Sequence, residues 1–189
     1  MATDERPAPL PDARVLRSIA EGVEAETGDR FFASLVRHVA TALGVQYALV
    51  SEITPDRTAF NSIAIWGRGQ AQPNLLVPLA GTPCAGVLQG KILHKPCDLQ
   101  KLYPEDIGLA DWDAESYCGV PLLGVTGTVL GHVAIFDDKP MPDGERMIAV
   151  LRVFAARAGA GARATAPRSS CVPARNATAT LRRGARRVT

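Results

Sequence analysis

The amino-acid sequence predicts an α+β fold built around an antiparallel sheet. Apolar residues with helical spacing are grouped near the two ends of the region 12–158, and β-rich segments lie between them. The β-rich segments come in pairs joined by short turns, and strands joined in this way pair antiparallel. Helices that are grouped, and do not alternate with strands, argue against a doubly wound parallel sheet. The chain has 189 residues, of which 47% are apolar and 21% charged, and is long enough for one packed domain.

Two helices are predicted before the first strand. Asp12 can cap the first helix, and Gly28 ends it. Asp29 can cap the second helix, and Gly44 is suited to end it because glycine readily adopts the left-handed conformation that follows a helix. The apolar faces of the two helices consist of Leu16, Ile19 and Val23 in the first, and of Phe32, Leu35, Val36, Val39, Ala40 and Leu43 in the second.

A β-hairpin is predicted next. Residues 45–50 are apolar on both faces, as in a central strand. Residues 58–66 form the partner strand across a Pro-Asp-Arg turn, and Gly67 ends that strand. Residues 74–78 predict a short edge strand that ends at its proline.

The region 67–115 is irregular and long for a connection inside a compact domain, which is typical of a binding loop. The Thr-Pro pair at 82–83 predicts the start of a short helix over 84–89, with the threonine as its cap. A short strand is predicted over 91–97, and a single helical turn over 103–106.

A second hairpin and a closing helix complete the predicted domain. Its strands, 117–123 and 128–136, are joined by a glycine-containing turn. Asp143 begins the closing helix and Gly159 ends it. The apolar stripe of this helix consists of Met147, Leu151, Phe154 and Ala158, with Ile148 and Ala155 beside it.

The formal net charge of +2 conceals two regions of opposite charge. Residues 1–158 hold 14 Lys and Arg against 19 Asp and Glu, whereas residues 159–189 hold seven Arg and no acid. Residues 1–11 are rich in proline and polar residues, and we expect a disordered leader there. The basic tail, 159–189, is of low complexity, and we expect it to be disordered and to be a truncated or frame-shifted end.

The composition excludes several classes of function. No apolar run approaches the roughly 20 residues of a membrane helix. Residues 1–14 lack the basic and apolar regions of a signal peptide, so we expect no secretion. We therefore expect a cytoplasmic protein without a membrane partner. The tail has neither interleaved aromatic residues nor a nucleic-acid-binding motif, so we expect no nucleic-acid partner. Four cysteines without a CxxC pair and three scattered histidines predict neither a metal site nor a disulfide.

Four short motifs resemble the sequence of a GAF domain, a small sensory module of bacterial signalling proteins. They are GTPC at 81–84, AESYCGVPL at 114–122, GTVLGHVAI at 127–135 and RVFAARA at 152–158. The motifs follow the order of that family, and the resemblance covers residues 12–158. It is to GAF domains found in sensor histidine kinases and related multidomain regulators.

The resemblance implies a sheet of five to six strands with the N- and C-terminal helices on one face. The irregular middle would cover the other face and enclose a small-molecule pocket. The domain would be non-catalytic, and its unidentified ligand would bias the packing of helices 12–27 and 143–158. The same helices offer an expected homodimer face, and the output domain would be missing from this chain.

The candidate ligand-binding residues lie in or beside the irregular middle. Ligand pockets are mostly apolar with a few placed polar groups, which favours aromatic residues together with polar ones such as Ser116 and His132. The alternative is that the aromatic residues only pack the middle onto the sheet, and that His132 is a hydrogen-bonded structural residue. The predicted ligand-binding residues are Trp66, Cys84, Cys97, Tyr103, Trp112, Ser116, Tyr117 and His132.

Cys84 supports a rival interpretation, a thiol-based redox sensor or an enzyme similar to the free methionine-sulfoxide reductases, which are GAF proteins. Its predicted position at a helix start favours a lowered thiol pKa. The alternative is a buried cysteine that only fills space. The further cysteines of those reductases would fall near Asn74 and Gly108, and neither residue is a cysteine.

Two other ligand signatures of the family are not matched. The Asn-Lys…Phe…Asp-Glu pattern of cyclic-nucleotide-binding GAF domains is absent. Phytochrome-type domains attach bilin through a cysteine that His usually follows, whereas here Ala, Asp and Gly follow Cys84, Cys97 and Cys118. The sequence therefore assigns no cofactor.

Overall fold

The structure is a computed structural model that describes residues 29–161. Within that range it contains five helices and seven strands. In chain order they are α1 (Asp29–Leu43), β1 (Tyr47–Ile53), β2 (Ala59–Gly67), β3 (Gln70–Gln72), β4 (Leu76–Pro78), α2 (Cys84–Leu88), β5 (Leu93–Lys95), α3 (Leu99–Leu102), α4 (Gly108–Asp111), β6 (Ser116–Leu123), β7 (Val129–Asp137) and α5 (Gly144–Gly161).

All strands form one antiparallel sheet, which confirms the predicted α+β class. The strand order is β3-β2-β1-β7-β6-β5, and β4 also pairs with β2. The described sheet has seven strands, more than the five or six expected, because the unpredicted β3 pairs with β2 as well. Its sequence, Gln-Ala-Gln, has no apolar alternation from which a strand could be predicted.

A β-bulge interrupts the pairing of β1 with β2. Val50 lies opposite Ala64 and Ser51 lies opposite Ser62, so Ile63 is the extra residue on β2. Ile63 and Ala64 both pack on the same face of the sheet, whereas side chains of a regular strand alternate. Every residue of β2 after the bulge therefore points to the face opposite the one that regular alternation predicts.

The two long helices, α1 and α5, pack on one face of the sheet, as expected for the terminal helices. We call the apolar core between them and the sheet the helix-face cluster. Its fully buried members include Leu35 and Val39 of α1, Leu151 and Phe154 of α5, and Val50, Val120, Val133 and Ile135 of the sheet. Asp143 caps α5 as predicted, since its carboxylate accepts a hydrogen bond from the Arg146 amide at 3.1 Å.

The segment between β4 and β6, residues 79–115, folds over the opposite face of the sheet and is called the cover segment here. It carries the short helices α2, α3 and α4. The core beneath it is the cover-face cluster: Tyr47, Leu49, Phe60, Ile65, Cys84, Val87, Leu88, Leu99, Leu109, Ala114, Tyr117, Ala134 and Phe136. The domain thus has two apolar layers, one on each side of the sheet.

Three local predictions are wrong. The helical turn predicted over 103–106 is replaced by two separate turns, α3 and α4, on either side of it. Thr82 does not cap α2, because its hydroxyl donates to the Leu79 carbonyl at 2.9 Å. The closing helix continues through Gly159 to Gly161, since a glycine inside a helix costs only about 1 kcal/mol relative to alanine.

Several predictions concern residues outside the described range. These are the leader at 1–11, the first helix beginning at Asp12, and the tail beyond residue 161. Among the described helices, none is both long and apolar enough to cross a membrane.

Candidate ligand site on the cover face

Four aromatic rings form a connected layer between the cover segment and the sheet. The Trp112 ring, from the cover segment, stacks on Tyr47 with a centroid distance of 4.5 Å and an interplanar angle of 4°. Phe136 meets the edges of Trp112 and Tyr117 at 5.1 and 4.9 Å. Edge-on and stacked geometries of this kind stabilise aromatic pairs beyond the burial of their area. These contacts hold the cover segment on the sheet.

Cys84 lies at the start of α2, inside the cover-face cluster, and is 3% exposed. The Tyr117 hydroxyl donates a hydrogen bond to its sulfur at 3.7 Å. Burial raises the pKa of the Cys84 thiol to about 12 and raises the pKa of the fully buried Tyr117 well above its usual value. The expected lowering of the Cys84 pKa is therefore wrong, because α2 has only five residues and loss of solvent dominates.

His132 lies on the cover face, since it alternates along β7 with Ala134 and Phe136 of the cover-face cluster. Its Nδ1 is hydrogen-bonded to the Ser51 hydroxyl at 2.5 Å, and its ring packs edge-on against Phe60 at 4.9 Å. Burial lowers the pKa of the imidazole to about 3, so it is neutral at physiological pH. Within residues 29–161, His132 Nε2 is the one buried side-chain nitrogen or oxygen that has no hydrogen-bond partner.

Five of the eight predicted site residues come together on this face. Tyr103 packs against the cluster while keeping part of its surface exposed, and burial raises the pKa of its hydroxyl. The set on the cover face is Cys84, Tyr103, Trp112, Tyr117 and His132.

The other three predicted residues lie elsewhere. Trp66 packs against the helix-face cluster, because it follows the bulge in β2. Cys97 is half-buried in the loop after β5, where its thiol donates to the Asp98 carboxylate at 3.5 Å, and that interaction raises the pKa of the thiol. Ser116 is buried at the start of β6, and its hydroxyl donates to the Lys139 carbonyl.

The sequence prediction missed Tyr47, Ser51, Phe60 and Phe136, all on the cover face. A signal for Tyr47 was available, because it lies in the predicted central strand, 45–50, which is apolar on both faces. Ser51 lies one residue beyond that predicted strand. Ser51 and His132 are 81 positions apart, so their hydrogen bond follows only from the pairing of β1 with β7.

Possible metal ligands are not clustered among the described residues. No group of three or more His, Cys, Asp or Glu side chains in the range 29–161 is arranged to hold a metal ion. The cover face instead offers an apolar, aromatic environment with one unpartnered neutral imidazole nitrogen. A pocket lined in this way would suit a mostly apolar molecule that has a single hydrogen-bonding group.

Comparisons with known proteins agree with this architecture. The chain is similar to the GAF domain of an Acinetobacter phosphoenolpyruvate-protein phosphotransferase, at 14% identity and a TM-score of 0.64, over 80% of this chain and 92% of that one. A GAF domain of A. aeolicus in an inactive state gives 15% identity, a TM-score of 0.64, and coverage of 80% and 95%. A structure of a far-red-absorbing dark state with bound biliverdin is similar at 14% identity and a TM-score of 0.60. The match covers 80% of this chain and 97% of that one.

Comparison of the sequence with family models identifies the family of this chain. No curated protein sequence matches the chain. The model of the GAF domain family matches residues 27–161, which is well over half of the sequence. This range includes every helix and strand described above. The chain belongs to the GAF domain family.

Proposed function

We propose that this GAF domain is a non-catalytic sensor that binds a small molecule on its cover face and transmits the change to α5. The observation that carries the proposal is the unpartnered Nε2 of the fully buried His132. Buried polar atoms in native proteins nearly always have a hydrogen-bond partner, and an exception requires an explanation. A bound molecule that hydrogen-bonds to Nε2 supplies one.

The chemistry of the cover face restricts the ligand. The imidazole is neutral, so it offers a hydrogen bond and no positive charge. The surrounding residues are aliphatic and aromatic. The ligand is therefore a mostly apolar or aromatic molecule with one uncharged hydrogen-bonding group. A similar fold with bound biliverdin supports the idea that a fold of this shape accommodates a small molecule.

The contacts of β5 supply a route from the cover segment to α5. His94 of β5 donates a hydrogen bond from Nε2 to the Met141 carbonyl at 2.7 Å, and the Met141 amide donates to the Pro96 carbonyl at 2.9 Å. Met141 lies three residues before α5. A shift of the cover segment that moves β5 therefore also moves the start of α5. In this proposal α5 has two positions, and the ligand favours one of them by binding it more tightly.

The sensor acts in the cytoplasm as part of a signalling regulator, and it dimerises through its terminal helices. Apolar side chains of α1 and α5 that pack at the helix-face cluster and are only half-buried, among them Phe31, Ile148 and Val153, support the dimer. A helix-face contact of this kind would cover them. Light scattering of the full chain across micromolar concentrations tests the dimer, and a monomer at every concentration would contradict it.

The burial of Cys84 disfavours rapid thiol chemistry and with it the redox alternative. The thiol is buried and its pKa is raised to about 12, which leaves almost no thiolate at neutral pH. The thiolate is the reactive form in both redox sensing and sulfoxide reduction.

Native mass spectrometry of the full chain purified from cells tests the ligand. We expect a bound small molecule on the wild-type protein and its loss from His132→Leu, which removes the hydrogen-bonding nitrogen. His38→Gln is the matched control, since His38 lies on α1 and bonds to the Ser34 carbonyl, away from the cover face.

The control variant should keep the bound molecule, and thermal unfolding should show that all three proteins are folded. The same bound molecule on His132→Leu, or none on the wild-type protein in any preparation, would contradict the proposal.

A further inference from the structure

A groove of about 300 Å³ lies on the opposite side of the sheet from the cover segment. It runs between α1 and the β2–β3 hairpin and is lined by Arg30, Ala33, Ser34 and Arg37 of α1 and by Ile65, Trp66 and Ala71 of the hairpin. We call it the α1 groove. Of the lining residues, Ile65 alone belongs to the cover-face cluster. None of the five predicted site residues on the cover face lines the groove, so the groove is separate from the site discussed above.

Two arginines define the charge of the α1 groove. Arg30 and Arg37 are seven residues apart on one helix, which places them on the same side and about 10 Å apart along the axis. Both are exposed, and within residues 29–161 neither guanidinium forms an ion pair. Among residues 29–161, no acidic side chain lines the groove. Within this range the groove is therefore positively charged without internal compensation.

The two residues between the arginines that line the groove, Ala33 and Ser34, are small. Ala33 lies one turn after Arg30, and its methyl group leaves space between the two long side chains. The facing wall is the half-buried indole of Trp66, which the bulge in β2 turns toward α1. A flat apolar surface thus stands opposite two groups that each donate several hydrogen bonds.

These features match one chemical class of ligand. A guanidinium binds phosphate or carboxylate oxygens through paired hydrogen bonds, and an indole face stacks on planar rings. We propose that the α1 groove is a second binding site, which takes a small molecule with a planar ring and an anionic group such as a phosphate monoester. The anion contacts Arg30 or Arg37, and the ring lies against Trp66.

Isothermal titration calorimetry on the full chain tests the site with three probes: phenyl phosphate, adenosine monophosphate and inorganic phosphate. Because the ring contributes through Trp66, phenyl phosphate should bind at least about tenfold more tightly than inorganic phosphate. Tighter binding of adenosine monophosphate than of phenyl phosphate would identify a nucleotide as the source of the ring. The reverse order would identify a simple aromatic phosphate.

Variants separate the two halves of the site. The double variant Arg30→Gln/Arg37→Gln should weaken phenyl phosphate at least about tenfold, since charge-assisted hydrogen bonds are lost. Trp66→Leu should abolish the preference for phenyl phosphate over inorganic phosphate. Arg152→Gln is the matched control, because Arg152 is exposed on α5 and does not line the groove, and it should leave the affinity unchanged.

The outcome is independent of the proposed sensor function. His132→Leu should leave phenyl phosphate binding unchanged, because His132 lies on the other face of the sheet. No saturable binding of any probe to the wild-type protein would overturn the proposal. It would also be overturned if the double arginine variant and Arg152→Gln bound phenyl phosphate as tightly as the wild type does.

Discussion

The imidazole of His94 lies where a β-carbon on Gly144 would stand. An ideal β-carbon on Gly144 would overlap Nδ1 of His94 and lie 2.7 Å from its Cε1. The same ring donates a hydrogen bond from Nε2 to the Met141 carbonyl. An edge strand of the sheet therefore contacts the first residue of α5 through a gap that only glycine leaves open.

Gly144→Ala should destabilise the domain by about 1–3 kcal/mol, because a methyl group forced into packed surroundings must displace the His94 ring. Urea unfolding followed by circular dichroism measures the change. Gly86→Ala is the matched control: no atom lies within 4 Å of its added methyl group, and it sits inside α2. The control should be neutral or slightly stabilising.

The double variant His94→Ala/Gly144→Ala makes the test specific to this pair. Removing the ring makes room for the methyl group, so adding Gly144→Ala to His94→Ala should cost less than adding it to the wild type. Equal costs in the two backgrounds would contradict the contact.

Cys84 should react with iodoacetamide at least about tenfold more slowly than Cys97 in the native protein at pH 7.5, because the thiolate is the reactive form. Cys84 is buried with its pKa raised to about 12, whereas Cys97 is half-buried beside an exposed loop. Peptide mapping by mass spectrometry gives both rates. In urea the two rates should converge, and fast labelling of native Cys84 would reopen the redox interpretation.

His132 and Asp137 should give opposite pH dependences of stability. Burial lowers the folded-state pKa of His132 to about 3, below its unfolded value of 6.5. Its contribution is therefore present above pH 6.5 and is lost as the pH falls toward 3. Burial and the neighbouring Asp138 raise the folded-state pKa of Asp137 to about 6. Its contribution is present below pH 3.8 and is lost as the pH rises through 6.

Urea unfolding of three proteins between pH 4 and 6 separates these two effects. Relative to the wild type, Asp137→Asn should lose more stability as the pH falls, and His132→Leu should lose less. The difference in slope is at most about 1.4 kcal/mol per pH unit for each group. Parallel curves for all three proteins would show that neither group titrates as its burial predicts.

Trp112→Ala should destabilise the domain by about 2–4 kcal/mol, since it removes the ring that stacks on Tyr47 and meets Phe136. The loss of stability should mainly affect the cover segment, which Trp112 holds on the sheet. Hydrogen exchange measured by mass spectrometry should accelerate in α3 and α4 more than in α1, which packs on the other face. Uniform acceleration across the domain would contradict a separately held cover segment.

Much of the fold could be predicted because its signals are local. The apolar spacing of α1 and the strand pair of β6 and β7 with its glycine-containing turn depend on neighbouring residues only, and the structure confirms all three elements. The turns of α3 and α4 were misplaced because a distant contact decides them. The Asp98 amide donates to the Glu115 carboxylate at 2.9 Å, and Asp98 adopts a left-handed conformation with φ of 57° before α3 begins.

The α+β class, the family resemblance and most of the residues that face a core follow from the sequence alone, because periodicity depends only on neighbouring residues. Which of the two cores each residue joins depends on the tertiary fold. Regular alternation from Phe60 would have put Trp66 on the cover face, but the bulge at Ile63 turns it toward α1. Strand pairing likewise joined Ser51 to His132 and left Nε2 unpartnered. Register and bulges depend on contacts between distant segments, which local spacing does not encode.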